Sequence, residues 1–318
     1  MRAWVWLLLL AGALTAQAQL GTSLRMLTNK EALLTITATN TSNVTLRTYY
    51  PPLDQFVPLL TFRSTGVNNH IDAAAPYLNS RFYASRYDAP TAFLGEHVIT
   101  TNGDLIIQPV HHAGFVMSWN SKIIYNDPAG NVSRYTGFPK ADLILLSHNH
   151  SDHFDATIIS SLTNATTRII APQTTYNSMS AALKNLTTIL TYGSSTTVFG
   201  IPVQAVRATN ANHLEGVNNA YVTTIGGKRI LTTGDCGPGP DLLAVQNIDV
   251  AFVCMNSFTM TATTASSVVR TIRPKVVFPY HFGSVNGSPS TDPNYDTQAF
   301  KRLVGQDLGI EVRLRKWY

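Results

Sequence analysis

Three histidines and one aspartate fall within the seven-residue segment Ser147-His148-Asn149-His150-Ser151-Asp152-His153. The segment follows an apolar run at residues 142–146 and precedes a helical pattern, which predicts a loop at the end of a strand. Two histidines one residue apart in extended chain point the same way and can share one cation, while Asp152 and His153 can face a second. The chain has only nine histidines, so this clustering indicates a metal site rather than chance.

Three more candidate ligands stand at the ends of predicted strands. His213 lies in a polar loop, Asp235 ends the sequence Thr-Thr-Gly-Asp, and His281 follows an apolar run that ends at Tyr280. A carboxylate directly after a glycine at the edge of a sheet is well placed to bridge two cations. A catalytic site needs these ligands and also positions left open for water and substrate.

Four other residues are candidates for supporting roles, each with a structural alternative. Asp127 either hydrogen-bonds a ligand histidine or forms an Asp-Pro turn. His112 either lines the pocket and orients a water molecule or is a strand histidine with its own partners. Tyr280 and Asn256 either contact the substrate or are structural residues at strand ends.

The region that must position these residues alternates strands and helices, which predicts an α/β fold. The first half contains a predicted hairpin at Asn120-Ser121, followed by alternating strands and helices. The second half begins with a predicted hairpin at Gly226-Gly227 and continues with the same alternation. The pattern therefore predicts two similar halves. The predicted strands span residues 104–110, 115–119, 122–125, 142–146, 167–170, 203–207, 229–233, 249–253 and 275–280, and the predicted helices span 156–162, 176–183, 261–271 and 297–304.

The N-terminal part of the chain has a different character. Residues 1–18 combine a positive charge, a short apolar run and an Ala-x-Ala site, which predicts a signal peptide and an exported protein, periplasmic or extracellular. Residues 24–87 contain short alternating, threonine-rich runs, which predict a small β-sandwich module that could bind a glycan or an envelope partner. A junction at residues 88–90 separates it from a domain at 92–318.

The composition limits the possible partners. The net charge is +5, but the basic residues are scattered, so no nucleic-acid partner is expected. No run beyond the leader is apolar enough for a transmembrane segment. The two cysteines, Cys236 and Cys254, cannot define a disulfide scaffold, and free buried thiols are favoured.

The order of motifs, from His-x-His-x-Asp-His through a lone histidine and Thr-Gly-Asp to a late histidine, resembles the metallo-β-lactamase superfamily over about residues 92–318. Within it, the segment His111-His112-Ala113-Gly114-Phe115-Val116 and residues 122–128 and 249–256 resemble the branch of ascorbate-6-phosphate lactonase-like and N-acylphosphatidylethanolamine phospholipase D-like proteins. One position departs from that pattern, since His111 stands where the branch usually has glycine.

The resemblance implies a four-layer αββα sandwich and a centre with two divalent ions, zinc by preference and manganese or iron as alternatives. The implied ligands are His148, His150 and His213 for one ion, and Asp152, His153 and His281 for the other, with Asp235 between them. Asp152, Asp235 and His112 are the expected catalytic residues. A hydroxide that bridges the ions could then attack a substrate without a nucleophilic serine or cysteine.

The expected activity is hydrolysis of an ester, a lactone or a phosphodiester in a small-molecule or lipid substrate, since metal-activated water can attack all three. A phospholipase D-like lipid phosphodiesterase is the alternative within the enzymes. A non-catalytic, metal-containing protein that binds the cell envelope is the alternative outside them.

Overall fold

The structure is a computed structural model and describes residues 4–7, 20–28, 31–38, 43–50, 55–64, 66–72, 80–88, 94–256, 258–283, 295–315 and 317. The chain divides into two compact units, the first drawn from residues 1–99 and 106–108 and the second from residues 100–105 and 109–318. Most of the predicted leader, including its cleavage site, lies in residues 8–19, outside the described residues.

The first unit is built from strands that form two sheets. One sheet has the order β1-β7-β4-β5-β8 and the other the order β2-β3-β6. Burial alternates along β3, and Leu34 and Ile36 pack in one core with Val44 and Leu46 of the other sheet. The all-β module predicted from the sequence is thereby confirmed. Its strands are β1 Trp4–Leu7, β2 Leu20–Met26, β3 Ala32–Ala38, β4 Asn43–Tyr50, β5 Gln55–Arg63, β6 Val67–Asp72, β7 Ser80–Asp88 and β8 Gly95–Thr100.

The second unit alternates strands and helices. Its strands are β9 Gly103–His111, β10 Gly114–Trp119, β11 Lys122–Asn126, β12 Leu143–Leu145, β13 Arg168–Ala171, β14 Thr187–Ile189, β15 Ser195–Val198, β16 Ile201–Arg207, β17 Asn219–Ile225, β18 Lys228–Thr232, β19 Val250–Cys254, β20 Val276–Tyr280 and β21 Glu311–Val312. Its helices are α1 Ala156–Leu162, α2 Gln173–Asn177, α3 Ala181–Lys184, α4 Pro240–Leu243, α5 Ala262–Ile272 and α6 Thr297–Val304, and a 3-10 turn spans Val132–Tyr135. The α/β class is therefore confirmed.

The two sheets of the second unit are built alike. In one, β10 and β11 are antiparallel and β11 to β14 are parallel. In the other, β15 to β18 are antiparallel and β18 to β21 are parallel. The predicted repeat of two halves is thus present. Because loops that follow parallel strands leave at the same edge of a sheet, the chain after β12, β18 and β20 is available for one site.

The two sheets pack on each other through aromatic side chains. Phe115 of β10 stacks on Phe252 of β19 with 4.0 Å between ring centroids, and Trp317 contacts both rings edge-on. Helix α5 covers the second sheet with the buried Val268, Val269 and Ile272. The sandwich of sheets and helices predicted from the sequence is confirmed.

One predicted helix is wrong. Residues 176–183 form parts of two short helices instead of one, because Ser180 caps a new helix by accepting a hydrogen bond from the backbone of Leu183. α5 has 11 residues, and no helix among the described residues has the length and apolarity needed to cross a membrane.

Candidate metal centre

The loop that carries the histidine cluster is held at both of its ends. Asp127, which follows β11, accepts hydrogen bonds from the backbone N–H of Ser147 at 2.7 Å and from its hydroxyl at 2.7 Å. At the other end, Asp155 caps α1 by accepting from the backbone N–H groups of Thr157 and Ile158. A strand-end loop fixed in this way holds its side chains in place for binding.

The first group of ligands consists of His148, His150 and His213. Nε2 of His213 lies 3.1 Å from Nε2 of His148 and 3.2 Å from Nδ1 of His150. His148 and His213 are buried and His150 is exposed, so the group opens to solvent on one side. Burial lowers the pKa of His148 and of His213, which keeps both rings neutral and able to bind a metal at pH 7.

The second group lies around Asp152. Its Oδ2 is 3.1 Å from Nε2 of His281 and 3.1 Å from Nε2 of His112. His153 faces the same ring, with 3.0 Å between its Nε2 and that of His281. Burial alone would raise the pKa of Asp152, but hydrogen bonds from the two histidines outweigh burial and hold this pKa well below its usual range.

Asp235 lies between the two groups. Its Oδ1 is 3.3 Å from Nε2 of His153 and 3.4 Å from Nε2 of His281, and its carboxylate also groups with His148. Burial opposes the charge of this carboxylate, but the facing histidines hold its pKa well below the usual range. A carboxylate in this position can bridge two cations, as expected from the Thr-Gly-Asp sequence.

The turn before Asp235 requires glycine. Gly234 has φ of +55°, and a Cβ there would lie 2.8 Å from both Oδ1 of Asn218 and Cβ of Ser147. Three site residues without this freedom also have positive φ, namely His112 at 54°, Asp127 at 40° and His281 at 62°. Such backbone strain persists only where the surrounding structure holds it, and it clusters at functional sites.

The donor set fits divalent metal ions. Two imidazole nitrogens whose lone pairs face each other at 3.1 Å, as between His213 and His148, repel unless a proton or a cation lies between them. Nitrogen and carboxylate donors suit zinc, manganese and iron. The ligand atoms of His148, His150 and His213 lie within 4.8 Å of one another, and those of Asp152, His153 and His281 lie within 3.6 Å.

The structure brings all seven predicted ligands together. It also places Asp127 against a ligand histidine, since Oδ2 of Asp127 lies 3.0 Å from Nδ1 of His153. His112 lies at the centre through its contact with Asp152, and burial lowers its pKa to about 4.

The structure buries both residues that were expected to contact the substrate. Tyr280, the last residue of β20, is 0% exposed, and Asn256, in the loop after β19, is 3% exposed. Asn256 contacts a ligand histidine, since its Nδ2 lies 3.0 Å from Nδ1 of His281, and substrate contact by either residue stays a prediction.

Sequence reasoning missed three residues that support the ligands. Ser147 contacts Nδ1 of His148, and Asn210 contacts Nδ1 of His213. Cys254 is a free, buried thiol, as Cys236 is, and its Sγ donates to Oδ1 of Asp235 at 3.3 Å. Only their positions could have indicated these residues, since Ser147 precedes His148, Asn210 lies three residues before His213, and Cys254 ends the buried strand β19.

Replacing Asp127 with asparagine should weaken the centre. The amide would turn an N–H group toward His153 or toward Ser147, where the carboxylate now accepts three hydrogen bonds. We expect metal affinity to fall by about 10-fold to 100-fold and the free energy of unfolding to fall by about 1–3 kcal/mol. Chelator competition and thermal melting measure the two effects, and unchanged affinity would contradict the assigned contact.

Comparison with known proteins agrees with this geometry. The family model described as the beta-lactamase superfamily domain matches residues 106–281. The chain is 30% identical over 219 residues to a UPF0173 metal-dependent hydrolase of Pyrococcus abyssi, covering 63% of this chain and 92% of the relative. A solved structure described as a metal-dependent hydrolase from Parabacteroides distasonis is 30% identical, with a TM-score of 0.60 and coverage of 71% of this chain and 100% of that one.

A more distant structure adds evidence for the fold alone. It is a metallo hydrolase of Ignicoccus hospitalis with 20% identity and a TM-score of 0.56, and the match covers 67% of this chain and 95% of that one. The matched family model spans more than half of the chain and contains six of the seven converging ligands inside its limits and the seventh, His281, at its last residue. The chain therefore belongs to the metallo-β-lactamase superfamily of metal-dependent hydrolases.

Proposed function

We propose that the protein hydrolyses an ester, a lactone or a phosphodiester with a centre of two divalent ions, zinc by preference. The observation that carries the proposal is the convergence of two ligand groups on either side of Asp235. When bound, two such ions supply a nucleophile from water at neutral pH and polarise the carbonyl or phosphoryl oxygen of the substrate.

The side chains have separate tasks in this proposal. His148, His150 and His213 would hold the first ion, and Asp152 with His153 and His281 would hold the second. Asp235, which lies between the two groups, would contribute its carboxylate to both. His112 is neutral because burial lowers its pKa to about 4, so it can hold Asp152 in place by donating a hydrogen bond from Nε2.

The first experiment is elemental analysis of the purified protein together with hydrolysis screens. Aryl esters, lactones and bis-aryl phosphodiesters distinguish the possible bond types. About two equivalents of zinc, manganese or iron with chelator-sensitive hydrolysis is the expected result. A protein that binds no metal after supplementation would contradict the proposal and would favour a non-catalytic binding protein.

A lipid phosphodiester is the second candidate substrate, because two large apolar side chains are exposed beside the centre. Leu214, next to His213, is 72% exposed, and Phe258 is 71% exposed. The amide of Asn212 donates to the backbone carbonyl of Phe258, so the two loops are connected. An exposed apolar surface beside a site can bind an apolar ligand or a lipid.

Replacing Leu214 and Phe258 with serine should lower the preference for long acyl or alkyl chains. We expect KM for a long-chain aryl ester or phosphodiester to rise about 10-fold, since partial burial of each side chain by the substrate is worth roughly 0.7 kcal/mol, while KM for an acetyl ester stays within about twofold. Leu303→Ser, at an exposed leucine of α6, is the matched control. An unchanged dependence on chain length would remove the argument for lipid substrates.

We further propose that the protein is exported and that its N-terminal all-β unit contacts a glycan or an envelope component. The charge and apolar pattern of residues 1–18 supports export, and cleavage after Ala18 would remove β1 and its pairing with β7. N-terminal sequencing of the mature protein tests it, because cleavage after Ala18 leaves Gln19 as the first residue, and an intact Met1 would contradict it.

A further inference from the structure

Each group of ligands has an asparagine behind one of its histidines, and the two asparagines present opposite atoms. Behind the first group, Oδ1 of Asn210 accepts hydrogen bonds from the backbone N–H groups of Asn212 at 2.8 Å and His213 at 2.9 Å. The same oxygen lies 3.1 Å from Nδ1 of His213. Nδ1 of His213 therefore carries the ring proton, and Nε2 offers its lone pair to a metal.

Behind the second group, Asn256 is turned the other way. Its Oδ1 accepts hydrogen bonds from the backbone N–H groups of Phe258 at 2.9 Å and Thr259 at 2.8 Å. Its Nδ2 therefore faces Nδ1 of His281 at 3.0 Å and Sγ of Cys254 at 3.2 Å. An amide nitrogen only donates, so Nδ1 of His281 must accept, and the ring proton of the neutral histidine lies on Nε2.

The amide cannot turn over to relieve this arrangement. A turned amide would place its N–H groups against two backbone N–H groups and would leave these donors without their acceptor in a buried place. The orientation of Asn256 is therefore set by the loop that follows β19, independently of what His281 requires.

The protonated Nε2 of His281 is the atom that faces the centre, since it lies 3.1 Å from Oδ2 of Asp152 and 3.4 Å from Oδ1 of Asp235. A metal can bind this atom only if the ring proton moves to Nδ1, where it meets the N–H of Asn256. His153 shows the opposite arrangement, because the carboxylate of Asp127 faces its Nδ1 and accepts the ring proton there when Nε2 binds a metal.

We propose that Asn256 makes the two metal subsites unequal, so that the subsite of His148, His150 and His213 binds its ion first and the subsite of Asp152, His153 and His281 binds more weakly. The inference rests on the proposed centre of two ions and adds the order of loading. Asn256 is a positioning residue, because it acts on the metal through His281.

The variant Asn256→Asp keeps the shape of the side chain and replaces the N–H group that faces Nδ1 of His281 with an oxygen. One carboxylate oxygen can accept from both backbone N–H groups and the other from Nδ1–H of His281, which is the arrangement that orients metal-binding histidines. We expect the second cobalt(II) ion to bind about 10-fold to 100-fold more tightly than in the wild type, while affinity for the first changes by less than about twofold. Stepwise calorimetric titration of the metal-free protein and cobalt absorption bands measure both ions.

The matched control is Asn247→Asp, which makes the same change at an exposed residue beyond the other end of β19. It should leave both affinities unchanged. Nitrogen-15 NMR of the metal-free wild type needs no variant and remains decisive if Asn256→Asp does not fold. The expected result is a ring proton on Nε2 of His281, assigned by its loss in His281→Gln.

The possible outcomes are distinct. Two ions bound with equal affinity by the wild type, no tightening in Asn256→Asp, or a ring proton on Nδ1 of His281 would each overturn this inference and leave the proposed function standing. Failure of the wild type and of Asn256→Asp to bind any cobalt would overturn the proposed function, and this inference with it.

Discussion

Asp235→Asn should reduce hydrolysis by at least about 1,000-fold, the largest effect of any single substitution. Oδ1 of Asp235 faces Nε2 of both His153 and His281, and the carboxylate is 6% exposed. An amide of the same shape removes the negative charge between the two cations and presents an N–H group to one of them. Steady-state kinetics and metal content of the purified variant measure the loss.

The control for this substitution is Asp307→Asn, at an exposed carboxylate that pairs with Arg270 at 2.7 Å. It should retain full activity. Both variants should keep the far-ultraviolet circular dichroism of the wild type, which separates loss of chemistry from loss of fold. A fully active Asp235→Asn protein would refute the role of this carboxylate as a bridge.

Removal of the metal with a chelator should abolish hydrolysis, and metal added back at pH 7 should release about two protons per protein. One comes from water at the centre, and the other comes from His153. Burial disfavours the charged ring, but Asp235 and Asp127 outweigh burial and raise the pKa of His153 well above 6.5. His148 and His213 release none, since burial keeps their rings neutral. Calorimetry in buffers of different ionisation enthalpy counts the protons.

The proton of His153 also sets the pH dependence of stability and of metal affinity. A raised pKa means that protonated His153 stabilises the metal-free fold below the unfolded value of about 6.5, and this stability is lost as the pH rises through the folded value. The apparent metal affinity should instead rise, by about tenfold per pH unit, until His153 loses its proton. The variant His153→Asn lacks this group, so proton release by it at the wild-type level would contradict the assignment.

The candidate ligands could be predicted from the sequence because they are local features. The spacing of His148, His150, Asp152 and His153 already defines four of the seven ligands, and apolar runs before Asp235 and His281 indicate strand ends. The alternation of strands and helices also predicts two halves, since hydrophobic period reports local structure.

The supporting residues could not be predicted in the same way. Asp127 is 20 residues from Ser147 and 26 from His153, and only the parallel pairing of β11 with β12 brings them together. Asn256 was expected to contact substrate, but the loop after β19 buries it behind His281. A single helix was expected over residues 176–183, where Ser180 caps a second one.

The sequence by itself therefore determined which residues can bind metal and which strands carry them, because ligand type and strand period are encoded within a few neighbouring residues. Only the tertiary structure decided how each ligand is held. Whether an oxygen or an N–H group faces a histidine ring depends on hydrogen bonds between segments far apart in the chain, as at Asp127, or on the turn that a loop adopts, as at Asn256. These contacts produce no periodic pattern in the sequence, because each is made by one pair of residues and is not repeated along the chain.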